Sequence, residues 1–198
     1  MKIEEMYKQK RPLISFEIFP PKRAEQLKNI DETLEILCGL KPDYISVTFG
    51  AGGSSVNSKT VELAKKIKYD YGIDPVVHLT CLNYSKDEIS AILDELKDAD
   101  IQNVLALRGD YNPDIPRKYD FNYASELAAF IKTQGDFDVA GGCYPEKHLE
   151  APDLVTDIHN LKKKVDAGVG HLISQLFFDN DLYYDFLEKL KIADINVP

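Results

Sequence analysis

The sequence predicts an α/β fold, a TIM (β/α)8-type barrel that runs for about six β/α units and then stops. Three observations carry this expectation. Six apolar strand segments alternate strictly with amphipathic helical segments, the pattern of a parallel sheet with helical crossovers. The polar residues closing those strands, Glu17, Thr48, His78, Arg108, Gly142 and Gln175, follow one another at intervals of 31, 30, 30, 34 and 33 residues. Open doubly wound sheets usually repeat less evenly than this. Nearly every strand also ends in a group able to hydrogen-bond or carry charge, and in a barrel the C-terminal strand ends build the active site.

The first strand is expected over residues 13–18, ending at Pro20-Pro21-Lys22, and a helix follows over about 24–37 with Leu27, Ile30, Leu34 and Leu37 on one face. A second strand at 44–48 runs into the glycine-rich 49–55. Val61, Leu63, Ala64 and Ile67 then mark a helix that stops at Gly72. The third strand, 75–80, precedes a helix opened by a capping box, Ser85 with Glu88, whose apolar face is Ile89, Ile92, Leu93 and Leu96. The fourth, Val104 to Leu107, is apolar throughout, as a strand covered on both faces should be, and breaks at Arg108-Gly109-Asp110. A loop rich in Asp, Asn and Pro (111–122) leads to a helix over about 124–133. The fifth strand is 137–143, followed by the dense loop Tyr144-Pro145-Glu146-Lys147-His148 and a helix over roughly 153–167 closed by Gly168. The sixth strand is 171–177, a helix covers about 181–190, and Ile195-Asn196-Val197-Pro198 reads as the start of a seventh strand. A full barrel needs eight strands and ~250 residues. The chain therefore reads as one incomplete barrel domain over 1–198 or as a shorter open sheet, and the abrupt stop inside an apolar start favours the fragment.

The totals bound the function. With 44% hydrophobic and 29% charged residues the chain is an ordinary globular one. A net charge of -9 argues against non-specific nucleic-acid binding, while leaving room for a local cation cluster that holds an anionic ligand. Cys38, Cys81 and Cys143 are scattered and odd in number, which fits free thiols in a reducing compartment. The first residues carry no apolar leader, no run approaches the ~18 residues of a membrane span, and the chain reads as cytoplasmic.

At the strand ends, Glu17 lies among Phe16, Ile18 and Phe19, surroundings that would raise its pKa and suit a general acid. The plainer reading pairs it with Arg108 or Lys22. Asp110 is either a second acidic group over the same cavity or a cap on the loop after strand four. Residues 50–54 read as an anion cradle at a helix start or simply as a flexible loop. His78 on its own is a satisfied core histidine, and only its place at a strand end points to a site. His78, Cys81, Cys143 and His148 follow the barrel repeat and not a ligand motif, so no metal site is expected. Lys162-Lys163-Lys164 is either a solvated helix face or offers one lysine to a diphosphate.

Seven stretches in order resemble the methylenetetrahydrofolate reductase family and cover essentially the whole chain: residues 15–22, 46–54, 78–81, 106–110, 144–146 with His148, 164–168 and 175–179. The resemblance implies a (β/α)8 barrel that binds FAD and uses NADH or NADPH to reduce 5,10-methylenetetrahydrofolate to 5-methyltetrahydrofolate, a step of one-carbon metabolism. It implies that Glu17 is the general acid that opens the folate ring, that Asp110 is the carboxylate near flavin and pterin, and that Gln175 is a folate contact. Thr48, His78, Leu107, Arg108, Gly109, Asp110, Tyr123, Ala124, Gly142, Tyr144, His148, Asp157 and Lys164 fall where the family contacts FAD. Asp153 and Lys163 compete with Asp157 and Lys164 for those places. The chemistry agrees: Arg108, His148 and Lys164 suit a diphosphate, and Tyr144 suits a ring system. Two departures are Ser55 to Lys59, where the family commonly has an arginine and acidic residues, and Leu149 in place of a frequent proline. A homo-oligomer or a partner chain that completes the barrel is expected. Two other readings stand beside this one: a flavin-free folate-binding methyltransferase barrel, and a non-catalytic cofactor-binding or assembly fragment.

Overall fold

The computed structural model describes residues 1–20, 27–49 and 54–198, apart from the side chains of 27–29 and 54–58. Lys22 and residues 50–53 of the proposed anion cradle lie outside the described residues.

A short helix α1 (Ile3–Met6) and a single 3-10 turn (Tyr7–Gln9) come first. Then β1 (Ser15–Ile18), α2 (Leu27–Gly39), β2 (Tyr44–Val47), α3 (Ser54–Tyr71), β3 (Asp74–Thr80), α4 (Lys86–Asp98) and β4 (Asn103–Leu107) alternate. They continue as α5 (Ala124–Gln134), β5 (Asp138–Cys143), α6 (Leu154–Asp166), β6 (His171–Ser174) and α7 (Asn180–Ile192). All six strands are parallel, paired in the order β1 to β6, and they curl into a half-barrel.

Alternation along each strand divides the sheet into two faces. The outer one carries Ile18, Ile45, Val47, Val77, Leu79, Val104, Ala106 and Val139. These pack against Leu34, Ala64, Ile67, Ile89, Leu93, Leu96, Leu127 and Ile131 of the helices in one continuous core. The capping box predicted for α4 is present: Ser85 Oγ accepts from Glu88 N at 3.2 Å, and Glu88 Oε2 accepts from Ser85 N at 2.7 Å. Such a cap contributes about 0.5–2 kcal/mol.

The inner face is mixed. Tyr44, Val76, Leu105 and Ala140 pack on Ile3 and Met6, and the buried polar residues Ser46, His78, Asn103, Asp138 and His171 alternate in register with them. Helix α1 plugs the N-terminal end of the strands. It has no side-chain cap of its own, and its first amides are taken up by the sheet: Asn103 Oδ1 accepts from Ile3 N at 3.1 Å and Asp138 Oδ2 from Glu4 N at 2.9 Å. With that end closed, the opposite rim is where a ligand can enter.

The sixth strand is shorter than expected, ending at Ser174 instead of 177. Gln175, Leu176 and Phe178 are exposed, and Phe177 stacks on Tyr183 at 4.6 Å. The anticipated start of a seventh strand lies beside β6, where Leu172 N donates to Pro198 O at 2.8 Å.

Candidate active site

The rim is built from the loops that leave the C-terminal end of each strand. After β4 the chain turns at Gly109 with φ +85°, a left-handed conformation suited to glycine, and an added Cβ there would stand 3.1 Å from Thr80 Cβ. The turn is tied to the end of β3, because Arg108 O accepts from both Cys81 N and Leu82 N at 3.1 Å.

Two adjoining cavities open here, of about 540 and 480 Å³, and Leu107, Arg108, Tyr144 and His148 line both. Together they form an elongated cleft. The first adds Phe49, Thr80, Asn83, Asp110, Tyr111 and Asn112. The second adds Tyr123, Ala124, Gly142, Glu150, Asp157, Asn160, Lys163 and Lys164. Tyr123 stands in the N-cap position of α5, its side chain making no capping bond.

The second cavity is the cationic one, and its side chains are held. Lys164 Nζ donates to Gly142 O at 2.9 Å. Burial pushes its pKa down while Asp157 pulls it up, and the net shift is downward. His148 Nδ1 accepts from Glu150 N at 3.1 Å, which leaves the ring proton on Nε2 as a donor. Its backbone N–H goes to Asp157 Oδ2 at 2.8 Å, and Tyr144 meets its ring edge-on at 4.7 Å. Asp157 is thus a support for the His148 loop as well as a wall of the cavity. Burial, then the charges of Asp110 and Asp157, raise the Tyr144 phenol. Both nitrogens at the tip of the Arg108 guanidinium reach the Glu150 carboxylate, the Nη2–Oε1 bond being 2.8 Å.

Glu17, Thr48, His78 and Gln175 line neither cavity. Glu17 differs from its expected environment: its side chain is 51% exposed. Its neighbours Phe16 and Ile18 face the outer core, so alternation carries their apolar bulk away from the carboxylate, and among the described residues β1 is paired only on its β2 side. Nor does it pair with Arg108, which Glu150 occupies. The group facing it is His78, Nε2 to Oε2 3.4 Å. Thr48 is half-buried, its N–H bonded to Ile18 O at 3.0 Å. Gln175 is exposed, its N–H bonded to Cys143 O at 2.8 Å and its side-chain oxygen accepting from Leu176 N at 3.3 Å. Among the described residues no group of three or more His, Cys, Asp or Glu side chains that could hold a metal is brought together, and no helix is long and apolar enough to cross a membrane.

Sequence reasoning missed Glu150 and the outer wall Asn83, Tyr111 and Asn112. The loop at 111–122 was legible only as a loop. Glu150, two residues past His148, carried no signal that it would turn back onto Arg108.

A parallel sheet of this topology, with a polar, cation-bearing cleft across its C-terminal rim, defines a TIM-barrel-type fold. Solved barrels share the fold. A Clostridium thermocellum protein described as binding two copies of 5-methyl-5,6,7,8-tetrahydrofolic acid matches with a TM-score of 0.69 at 15% identity, over 100% of this chain and 68% of that one. A 4-hydroxy-tetrahydrodipicolinate synthase from Methylacidiphilum fumariolicum SolV matches with a TM-score of 0.59 at 14% identity, over 90% and 58%. The chain belongs to the methylenetetrahydrofolate reductase family, whose model matches residues 2–198. It is 38% identical over 184 residues to the 5,10-methylenetetrahydrofolate reductase of Escherichia coli (strain K12), covering 93% of this chain. It is 35% identical to methylenetetrahydrofolate reductase (NADH) 1 of Arabidopsis thaliana, over 100% of this chain and 36% of that protein. The chain spans 61% of the length of the Escherichia coli relative.

Proposed function

We propose that residues 1–198 form the flavin- and folate-binding barrel domain of a methylenetetrahydrofolate reductase, acting on 5,10-methylenetetrahydrofolate to give 5-methyltetrahydrofolate with NADH or NADPH as the reductant. The observation that carries this reading is convergence. Leu107, Arg108, Tyr123, Ala124, Gly142, Tyr144, His148, Asp157 and Lys164, nine residues picked out by resemblance, all line the second cavity.

The residues present fit FAD. Arg108, His148 and Lys164 offer guanidinium, imidazole and ammonium donors along one wall, the chemistry a diphosphate requires. Gly142 leaves the cavity floor bare, since a Cβ there would meet only Leu107 Cδ2, at 3.7 Å. Tyr144, on the wall between the cavities, gives a planar surface for a ring system. When bound, FAD supplies the hydride chemistry.

The chain's own residues do the rest. Glu17 is the group assigned to deliver the proton that opens the folate ring, and Asp110, in the first cavity, would supply a negative charge to a bound flavin and pterin. Gln175, at the end of β6, offers an amide to the folate. A partner, either a second copy or a separate chain, seated along the β1 edge of the sheet would complete the enclosure.

The test is an absorbance spectrum of the purified protein after FAD is added and the excess removed by gel filtration. Flavin bands near ~450 nm should co-elute with protein. A folded protein that elutes colourless overturns the FAD assignment.

A further inference from the structure

Arg108 is a cation common to both cavities, and each of its three guanidinium nitrogens makes a hydrogen bond. Nε donates to Gly109 O at 3.3 Å, while Nη1 and Nη2 both grip Glu150. The two holds differ in kind. Gly109 O belongs to a fixed turn, whereas Glu150 is a surface side chain, 63% exposed, at the end of the dense loop. Its backbone is anchored by His148 Nδ1, so the carboxylate can leave without dragging the loop. Lys164, by contrast, is held by the carbonyl of Gly142. A carboxylate seated two-pronged on a guanidinium matches, in charge and in spacing, the hold a phosphate oxygen pair would take.

From this we infer that Glu150 is a built-in stand-in for a phosphate. It neutralises Arg108 when no ligand is bound and swings off into solvent when a phosphoanion takes the fork. The inference rests on the proposed diphosphate site and adds a competitor that sets its affinity. Weakly charged anions would fail to displace Glu150, while a ligand carrying two adjoining phosphates, reaching Arg108, His148 and Lys164 together, would succeed.

The experiment is calorimetric titration of the wild-type chain, Glu150→Gln, Glu150→Ala, Arg108→Gln and the Arg108→Gln/Glu150→Gln double variant with ADP and with inorganic pyrophosphate at one ionic strength. Both Glu150 variants should bind each probe roughly three- to tenfold more tightly. Arg108→Gln should weaken binding, and in that background Glu150→Gln should give no further gain. Unchanged affinity in the Glu150 variants overturns the stand-in while leaving the diphosphate site in place. Weaker affinity overturns it too, in favour of Glu150 as the group that aims the fork. If no folded variant binds ADP or pyrophosphate, the diphosphate reading falls and the stand-in with it.

Discussion

Glu17 Oε2 and His78 Nε2 face each other across 3.4 Å on adjacent parts of the inner sheet face, yet they do not form a salt bridge of two charges. His78 is buried, its Nε2 has no hydrogen-bond partner among the described residues, and burial lowers its pKa to about 4. At neutral pH the contact is between Glu17 and a neutral imidazole, which presents a fixed dipole to the group proposed as the acid.

This environment makes stability depend on pH through His78. Its folded pKa lies below the unfolded 6.5, so as pH falls from 6.5 toward 4 the unfolded chain takes up the proton first. The stability present above pH 6.5 is lost across that window, by roughly 3 kcal/mol at its lower end. Urea midpoints between pH 7 and 4 should therefore fall less steeply for His78→Leu than for the wild-type chain. Parallel curves would remove His78 as the cause.

For Glu17 itself, Glu17→Gln should leave flavin affinity within about twofold, since Glu17 lines neither cavity. It should slow folate-dependent reoxidation of the reduced protein by roughly 10²–10⁴, the usual worth of a positioned general acid. Stopped-flow absorbance reads both quantities. An undiminished rate would take the proton from another group.

The fold was legible where its physics is local and repetitive. Strands covered on both faces leave apolar runs such as Val104 to Leu107, buried as far as Ala106, and helices packed on one side leave stripes such as the buried Ile89, Ile92, Leu93 and Leu96. Helix α1 was illegible because four residues are too few to show a period, and its amides are satisfied by residues a hundred or more positions away. The cleft was legible as a set of strand ends. Its internal pairings were not: whether Arg108 meets Glu17 or Glu150 is decided by which way a loop returns. The apolar character read around Glu17 came from sequence neighbours that alternation sends to the other face.

At the rim, Gly109→Ala places a Cβ 3.1 Å from Thr80 on a backbone with φ +85°. The expected cost is about 1–3 kcal/mol, with loss of flavin affinity because Arg108 and Asp110 flank the turn. Gly39→Ala, where nothing lies within 4 Å, is the control and should be neutral or slightly stabilising. Denaturant midpoints and flavin titrations compare the two. Equal behaviour would mean that the turn relaxes freely.

At the closed end, Asp138 Oδ1 and His171 Nδ1 lie 3.3 Å apart with both side chains enclosed, beneath the Tyr7 ring, whose centroid is 5.5 Å from that of His171. Burial pushes the Asp138 carboxyl up, but His171 and the amides of Glu4 and Ile3 outweigh it and hold it below the usual carboxylate range. That contribution is present above the unfolded value of 3.8 and is lost as pH falls through the lower folded one. Asp138→Ala should cost about 1–3 kcal/mol, because it leaves the Glu4 amide without its acceptor and the buried His171 ring without the carboxylate beside it. Adding His171→Leu should recover part of the loss by removing the stranded partner, as apolar replacement of buried pairs often does. Urea unfolding of the single and double variants, with proteolysis at residues 1–9 as a local readout, decides it. A single variant within about 0.5 kcal/mol of wild type, its N-terminus still protected, would mean that Ile3 and Met6 hold the plug by packing alone.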